Sequence, residues 1–365
     1  MPARSAPDLQ CISAGYSISS NIRLAASTVS GSGAALEWRT SDPEVAEVAN
    51  GRITAKAPGT AAVTAAAGSA ECSVTVVVTD LIQTMQWSDD KTVLPADRYT
   101  DEEAHLLDDI LFARVEAAGG YGTRGGVVAS IRFLLLEFPD RISYFFENGR
   151  LTNDPGRPYC DGEGRYYHRG LYLCSCKFDD LVVSRWGPVI WGDPLLNWQD
   201  EYQFAAGRYY PNGLDCSGFV SWCMVNGGFD PGDVGSGQTW RDDDLCDYGE
   251  RVDITYELMH SGSVKAGDLI GMDGHIAIIA GLDDQNIYIA ESLPRGVVIT
   301  THSLEYGGDN PIYYSSIHDY IMLMDSYYEA EGVYDQMWTQ LPGNEMVPET
   351  EADQENDVAT VGEPA

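Results

Sequence analysis

The stretch GLDCSGFVSW, Gly213–Trp222, places a cysteine directly after an aspartate at the start of an amphipathic run. A glycine follows at Gly218 and the apolar face begins just after it, so we predict a helix from Cys216 to about Asn226. Free backbone N–H groups at a helix start favour negative charge, first on a thiolate sulfur and later on an oxyanion. Cys216 is therefore a candidate nucleophile, and the alternative is a small buried residue at a helix start.

A cysteine nucleophile needs an imidazole from elsewhere in the chain, and the sequence has six histidines. His275 is the best placed, because it begins the apolar strand HIAIIAG directly after the turn MDG. Glu291, in the strand NIYIAES, is the candidate that would orient the ring, with Ser292 second. An acid in so apolar a strand needs a partner if it is buried. Surface positions are predicted for three histidines without a partner signal, which are His260, His302 and His318.

The elements around these residues predict an α+β domain over residues 186–340. After the helix the chain reads as consecutive strands, in VKAGDLIGM, GHIAIIAG, NIYIAES and GVVITTHSL. DYIMLMDSYY, residues 319–328, reads as the last strand. A helix followed by a meander of strands is typical of an α+β domain with an antiparallel sheet.

We predict that residues 80–185 form a helical and irregular region. DEEAHLLDDILFARVEAAG, residues 101–119, has apolar residues at helical spacing and acidic residues in its first turn. GGVVASIRFLLLEFPD, residues 125–140, predicts a second helix that ends before Pro139, and loops with a short hairpin follow. This region either packs on the following domain or precedes it as a separate unit.

Residues 9–79 read as all-β. Short alternating segments recur, and turn signals such as SDPE, ANG and APGT separate them. Several strands of this length and spacing predict a sandwich. The order Trp38, SDPEVAEV, NGRITAKAPGTAAVTA, CSVTVVV also resembles a bacterial Ig-like module of the group-2 type, over nearly all of the segment. The resemblance implies a spacer or binding unit of a bacterial surface or secreted protein.

Two motifs of the C-terminal domain carry a second resemblance. DCSGFV, residues 215–220, followed by GDLIGMDGHIAIIAG, residues 267–281, resembles the NlpC family of bacterial cell-wall cysteine peptidases. WGPVIWGD, residues 186–193, is similar to that family's G-x-P-Y-x-W-G-G segment, and ESLPRGVVI is similar to the strand of its third catalytic residue. The resemblance covers roughly residues 186–300. It implies a papain-like fold and hydrolysis of peptidoglycan stem peptides, usually next to D-glutamate.

The resemblance also implies residue roles. Cys216 is then the nucleophile, His275 the base and Glu291 the third catalytic residue. Asp215 and Ser217 fall where the family helps to hold the free amino end of the substrate. Two further substrate-binding candidates are the aromatic residues Trp191 and Tyr210. No cofactor and no catalytic metal are expected.

The sequence departs from the family pattern at three places. The tyrosine of the upstream segment falls on Val189, so Tyr209 or Tyr210 would substitute for it. About 20 residues, 194–213, are inserted between that segment and the cysteine. The family's third residue is commonly His, Asn or Gln, and a gapless alignment puts that slot on Ala290, next to Glu291.

Composition limits the partners. The 365 residues suggest two or three domains, and the net charge of −34 argues against nucleic acid and anionic membrane surfaces, which would repel the chain. No apolar run reaches the roughly 20 residues of a transmembrane helix, so no membrane insertion is expected. The N-terminus lacks the apolar core of a signal peptide, and we expect an export signal to be missing upstream. On composition alone the chain is either cytoplasmic or a piece of a longer secreted protein, and the two resemblances imply a secreted or cell-wall-associated protein.

The chain has eight cysteines. Those outside the predicted site and outside the N-terminal module include Cys160, Cys174 and Cys176, which could form a metal site or, in an exported protein, a disulfide. Cys223 lies two helical turns after Cys216 on the same face and is predicted to be core. The tail, residues 343–365, is acidic and almost free of aromatics, which predicts disorder.

Together these features predict a multidomain protein, with an N-terminal all-β Ig-like sandwich and an α+β papain-like catalytic domain of the NlpC type. The expected function is cleavage of peptidoglycan stem peptides by a cysteine endopeptidase, with the Ig-like module placed on the wall or on a cell-surface partner. Two alternatives stay open. One is an amidase or acyltransferase of the same fold, and the other is a surface binding protein without catalysis.

Overall fold

The chain folds mostly into antiparallel β-sheets with few helices. The computed structural model describes residues 14–17, 21–23, 37–67, 70–83, 87, 89–144, 169–175, 190–196, 200, 204–229 and 249–336. The acidic tail and the first half of the WGPVIWGD segment lie outside these residues. No helix in the described part of the chain is long and apolar enough to cross a membrane.

The described residues of the N-terminal part include seven strands, which make two sheets. They are β1 (Ala14–Ser17), β2 (Asn21–Arg23), β3 (Glu37–Thr40), β4 (Ala46–Ala49), β5 (Arg52–Ala55), β6 (Gly59–Ala67) and β7 (Ala70–Thr79). One sheet has the order β1-β7-β6-β3 and the other β2-β5-β4. Only the β1–β7 pair is parallel among these strands. Val45, Ile53, Val63 and Val76 are buried in one core between them.

The rest of the described chain contains four α-helices and eight strands. The helices are α1 (Asp101–Ala117), α2 (Arg124–Arg132), α3 (Cys216–Asn226) and α4 (Tyr256–Met259), and a π-helical turn at Phe133–Glu137 extends α2. A short 3₁₀ turn spans Ile312–Tyr314. The strands are β8 (Pro194–Leu196), β9 (Tyr209–Pro211), β10 (Glu250–Asp253), β11 (Leu269–Met272), β12 (His275–Leu282), β13 (Asn286–Leu293), β14 (Gly296–Ser303) and β15 (Tyr320–Leu323).

Local sequence explains where the first and third helices begin. Thr100 caps α1, and its side chain and that of Glu103 form a reciprocal capping box. Asp215 caps α3, where its carboxylate accepts a hydrogen bond from the Gly218 N–H at 2.7 Å. The predicted helix over residues 216–226 is therefore confirmed, with the bounds that the sequence indicated.

Six strands form one antiparallel sheet, in the order β10-β15-β11-β12-β13-β14. Side chains alternate between its two faces. On one face, Ile278 and Ala290 pack in a core that also contains Phe219 of α3. On the other face, Ile279 and Ile289 pack in a second core.

The helices α1 and α2 share the first of these cores with α3. Leu107 and Leu111 of α1, Val127 of α2 and Trp222 of α3 are all buried in it. The helix α3 is therefore packed between the helices α1 and α2 and one face of the six-stranded sheet. Cys223 is fully buried in the same core, which confirms its predicted position.

The last strand is shorter than predicted. Residues 319–328 were expected to be extended, but β15 ends at Leu323. The reason is local, because the Met324 N–H donates to the carboxylate of Asp268 at 2.9 Å and Asp325 forms ion pairs with Arg124 and Lys265. The chain therefore leaves the sheet after Leu323, and its next residues contact the ion-paired cluster of Arg124, Lys265 and Asp268.

Candidate active site

Cys216 is the first residue of α3, at the end of the helix where its N–H groups lack intrahelical acceptors. Its thiol is free, and the residue is 9% exposed. The sulfur therefore lies at the position of a helix where negative charge is best stabilised, and it is not sealed in the core as Cys223 is.

The loop before α3 is fixed from two sides. The Ser292 hydroxyl, on β13, donates to the Leu214 carbonyl at 2.6 Å, and the Leu214 N–H donates to the Ser143 carbonyl at 3.0 Å. At Gly213 a Cβ atom would lie only 1.9 Å from the same Ser143 oxygen, so glycine is required for this close approach. Ser292 thus holds the chain that carries Cys216, a role different from ring orientation.

His275 is the first residue of β12, and the turn before it ends at Gly274 with φ +88°. The register of β12 and β13 pairs Ile278 with Ala290, which puts the start of β12 beside the end of β13 where Ser292 meets the α3 loop. The thiol of Cys216 lies close enough to His275 to raise the pKa of its ring. The structure therefore brings together the cysteine and the histidine that the sequence singled out, from positions about 60 residues apart.

Glu291 holds the other side of the ring. Its Oε2 lies 2.7 Å from His275 Nε2, and its side chain is fully buried. Because His275 uses Nε2 for the carboxylate, Nδ1 is the nitrogen left for the thiol. The alternation of side chains along β13 explains why Glu291 and not Ala290 contacts the ring. Ala290 faces the core that contains α3. Glu291 lies on the opposite face of the sheet, the face on which His275 also lies.

This arrangement favours a protonated ring. Burial opposes the charge on His275, but the hydrogen bonds and charges of Cys216 and Glu291 outweigh it and raise the pKa to about 9. Burial also opposes the charge on Glu291, and hydrogen bonds from His275 and Thr300, together with the nearby His318 ring, outweigh it and lower the pKa of that carboxyl. The His275 ring can therefore carry a proton, which the buried carboxylate of Glu291 stabilises.

Two histidines that were predicted at the surface are buried beside Glu291 and His275, so that prediction is wrong for both. His318 is 3% exposed, and its Nε2 lies 3.3 Å from Glu291 Oε2. His302 is also buried, and its ring stands edge-on to that of His318 at 5.5 Å between centroids. His260 is exposed, as predicted.

His275, Glu291 and His318 also have the side-chain types of a metal site, with their ligand atoms within 4.8 Å of one another. Two ligands on one tetrahedral zinc, each about 2.0–2.1 Å from it, are about 3.3 Å apart. The 2.7 Å between His275 Nε2 and Glu291 Oε2 is shorter than that and is the length of a charge-assisted hydrogen bond. The spacing favours a hydrogen-bonded cluster.

The predicted substrate-binding residues have different surroundings. Asp215 caps α3 and also lies 3.3 Å from the Ser217 hydroxyl, so both side chains are engaged at the helix start. Tyr210 is partly exposed, with its hydroxyl accepting from the Ala205 N–H at 2.9 Å. Trp191 is 1% exposed and packs against Tyr172 and Trp222, so its ring supports the core beneath the site and offers no surface to a ligand.

A surface depression of about 830 Å³ lies elsewhere, between Met259, Val264, Leu282 and Asp283. It contains none of Cys216, His275 or Glu291. Its size alone suggests no chemistry, whereas Cys216 at the start of α3 and His275 at the start of β12 have the side-chain types of a nucleophile and a base. We therefore place the candidate active site at Cys216.

Cys174 is disulfide-bonded, whereas Cys160 and Cys176 lie outside the described residues. This resolves the alternative between metal and disulfide for Cys174 in favour of a disulfide.

No family model matches the chain, and no curated protein matches it. A solved structure described as a bacterial Ig-like domain containing GH10 xylanase from termite gut is similar to part of the chain, at 28% identity. The similarity covers 23% of this chain and 21% of that one, with a TM-score of 0.18. This chain therefore spans about a fifth of the length of that protein, and a TM-score of this size does not establish a shared fold.

Proposed function

We propose that the protein is a cysteine endopeptidase that cleaves peptidoglycan stem peptides next to D-glutamate. The observation that carries the proposal is the chain of contacts from Cys216 through His275 to Glu291 at the start of α3. A nucleophile, a base bonded to it and a buried group that orients the base are the three parts of a thiol acyl-transfer site. The wall substrate comes from the resemblance of the Cys and His motifs to the NlpC family.

The reaction would proceed by acyl transfer. The Cys216 thiolate attacks the carbonyl carbon of the scissile amide, and N–H groups of the first turn of α3 stabilise the oxyanion. His275 gives its proton to the leaving amine as the C–N bond breaks, which leaves a thioester. Neutral His275 then takes a proton from water, and the hydroxide releases the acid and restores the thiolate.

Glu291 would contribute by fixing the ring and stabilising its charge. The carboxylate stays ionised because its pKa is lowered, and it contacts the nitrogen that does not face the thiol. A ring held in this way keeps Nδ1 directed at Cys216 through both halves of the reaction.

A location outside the cytoplasm agrees with the chemistry of the chain. Disulfides persist in oxidising compartments, and Cys174 is in one. The N-terminal pair of sheets would be the Ig-like module that places the enzyme on the wall or on a cell-surface partner. The described strands β3 to β7 carry the NGRITA and GTAAVTA segments on which that assignment rests.

The test is digestion of defined muropeptides, with products identified by mass. The wild-type protein should release a fragment cut on one side of D-glutamate, and Cys216→Ala should release none. Cys223→Ala is the matched control, because it removes a fully buried thiol of the same helix and should retain the activity.

Two other results would replace the proposal. A product cut outside the stem peptide would favour an amidase or acyltransferase of the same fold. Equal cleavage by Cys216→Ala and wild type would exclude the cysteine mechanism, and no cleavage of any muropeptide would favour a binding protein.

A further inference from the structure

The Glu291 carboxylate has more neighbours than the orienting role needs. Thr300, on β14, donates its hydroxyl to Oε1, and His318 Nε2 stands 3.3 Å from Oε2, the oxygen that His275 contacts. The side chains of His318 and Glu291 are both fully buried. One carboxylate therefore lies between two imidazoles, only one of which the proposed reaction uses.

We propose that His318 is a positioning residue that acts through Glu291, holding the carboxylate ionised and directed at His275. The inference rests on the proposed cysteine mechanism, since it assigns a further residue to the same site.

The contacts of His318 set the position of its proton. Its Nδ1 lies 2.9 Å from the Ser315 hydroxyl, which can donate to it and so leave the hydrogen on Nε2. The 3.3 Å contact to Glu291 is too poorly aligned for a full hydrogen bond, but among the described residues Nε2 has no other polar partner. A buried ring N–H needs an acceptor, and the carboxylate is the one within reach.

The charge balance around Glu291 makes this contact matter. Among the described residues, five titratable groups face the cluster from the elements packed around it: Cys216 of α3, His275 of β12, His302 of β14, His318 before β15, and Glu291 itself. No permanent cation is among them. The buried carboxylate therefore depends on donors from uncharged or titratable groups.

Removal of the His318 donor should weaken the thiolate. With one fewer donor, the carboxylate is held less firmly in line with the His275 ring, so the charged form of the ring is stabilised less. A less stabilised imidazolium supports the Cys216 thiolate less, so the reactivity profile of the thiol should move to higher pH. The effect must vanish when residue 291 carries no charge.

The experiment measures the alkylation rate of Cys216 by iodoacetamide between pH 5 and pH 9, with the modified peptide identified by mass. His318→Leu should reduce the rate at pH 6 about tenfold and shift the profile upward by about one pH unit, whereas His318→Gln, which keeps an N–H donor, should reduce it about threefold. In a Glu291→Gln background neither change should reduce the rate further by more than about twofold. His260→Leu is the matched control, because it removes an exposed imidazole with a glutamate 3.4 Å away and should leave the profile unchanged.

The outcomes separate this inference from the proposed function. A wild-type Cys216 that is no more reactive than an ordinary thiol overturns the cysteine mechanism itself. A reactive wild type with an unchanged profile in both His318 variants overturns only the role of His318, as does an equal loss in both backgrounds, which indicates general loosening of the fold. If His318→Leu does not fold, His318→Gln alone decides, with a threefold loss expected in the wild-type background and none in the Glu291→Gln background.

Discussion

Two buried carboxylates of the six-stranded region, Asp268 and Glu291, solve the same physical problem in different ways. Both are fully buried. Asp268 pairs with the guanidinium of Arg124 at 2.7 Å and accepts backbone N–H groups of Lys265 and Met324. Glu291 pairs with two imidazoles and a hydroxyl.

The difference lies in whether the partner can lose its proton. A guanidinium stays charged at any pH the protein meets, so the Arg124–Asp268 pair cannot take part in proton transfer. Imidazoles titrate, and His275 has a pKa raised to about 9, so the charge on the partner of Glu291 can change during a reaction. A buried acid with a permanent cation therefore indicates structure, and one with titratable partners indicates chemistry.

The largest expected effect is on catalysis at Glu291. Glu291→Gln keeps the shape but removes the charge that stabilises the His275 imidazolium, so kcat/KM on a muropeptide should fall about 1,000-fold. The exposed pair His260–Glu305, with 3.4 Å between Nε2 and Oε1, supplies the control. Glu305→Gln should stay within about twofold of wild type, and a similar loss in both variants would erase the proposed distinction.

Asp268→Asn should show the opposite pattern. It leaves the buried Arg124 short of a charge partner, so the free energy of unfolding in urea should fall by about 3 kcal/mol, while the pH profile of Cys216 alkylation stays that of wild type. Asp325→Asn removes a largely exposed partner of the same guanidinium and should cost less than about 1 kcal/mol. A shifted alkylation profile in Asp268→Asn would show that the two carboxylates are not independent.

The pH dependence of stability and of activity should also distinguish the His275–Glu291 pair from the Arg124–Asp268 pair. Since the pKa of His275 is raised from 6.5 to about 9, the stability that its charge contributes is complete below about pH 6.5 and is lost as the pH rises through about 9. The difference in unfolding free energy between wild type and Glu291→Gln should therefore shrink over this window. The alkaline limb of kcat/KM should have its midpoint near 9. A difference that grows with pH would contradict the sign.

The smallest expected effect concerns the anchor of the α3 loop. Ser292→Ala leaves the Leu214 carbonyl without its 2.6 Å donor, so unfolding free energy should fall by about 1 kcal/mol and kcat/KM about fivefold as Cys216 shifts. Ser221→Ala removes a hydroxyl that bonds the Ser217 carbonyl within α3, and it should leave kcat/KM within about twofold. Equal losses of kcat/KM in the two variants would show that Ser292 does not position Cys216.

The pattern of the sequence was enough to place Cys216, His275 and Glu291 near one another. A capping aspartate fixed the start of α3, and an apolar strand after a glycine turn fixed His275 at a strand end. Glu291 was chosen as an acid in an apolar strand, and the structure agrees, because Glu291 and not Ala290 shares the face of His275. These are local patterns, and local patterns are what a sequence displays.

His318 could not be found in this way. It lies between a 3₁₀ turn and β15, outside any periodic segment, and β15 reaches Glu291 only through the sheet order β15-β11-β12-β13. The burial of Trp191 was missed for a similar reason, since its neighbours Tyr172 and Trp222 come from distant segments. Contacts that depend on sheet order and long-range packing produce no pattern in the neighbouring sequence, so they cannot be predicted from it.

The alkylation rate of Cys216 at pH 6, compared between the native protein and the urea-unfolded chain, shows whether the fold activates this cysteine as a nucleophile. An ordinary thiol is only about 0.3% thiolate at that pH, because its pKa is about 8.5. An imidazolium beside the sulfur should make the native thiol react at least about tenfold faster than the unfolded one, even though a stabilised thiolate is a weaker nucleophile. A native rate equal to or below the unfolded rate would contradict the assignment of Cys216 as an activated nucleophile.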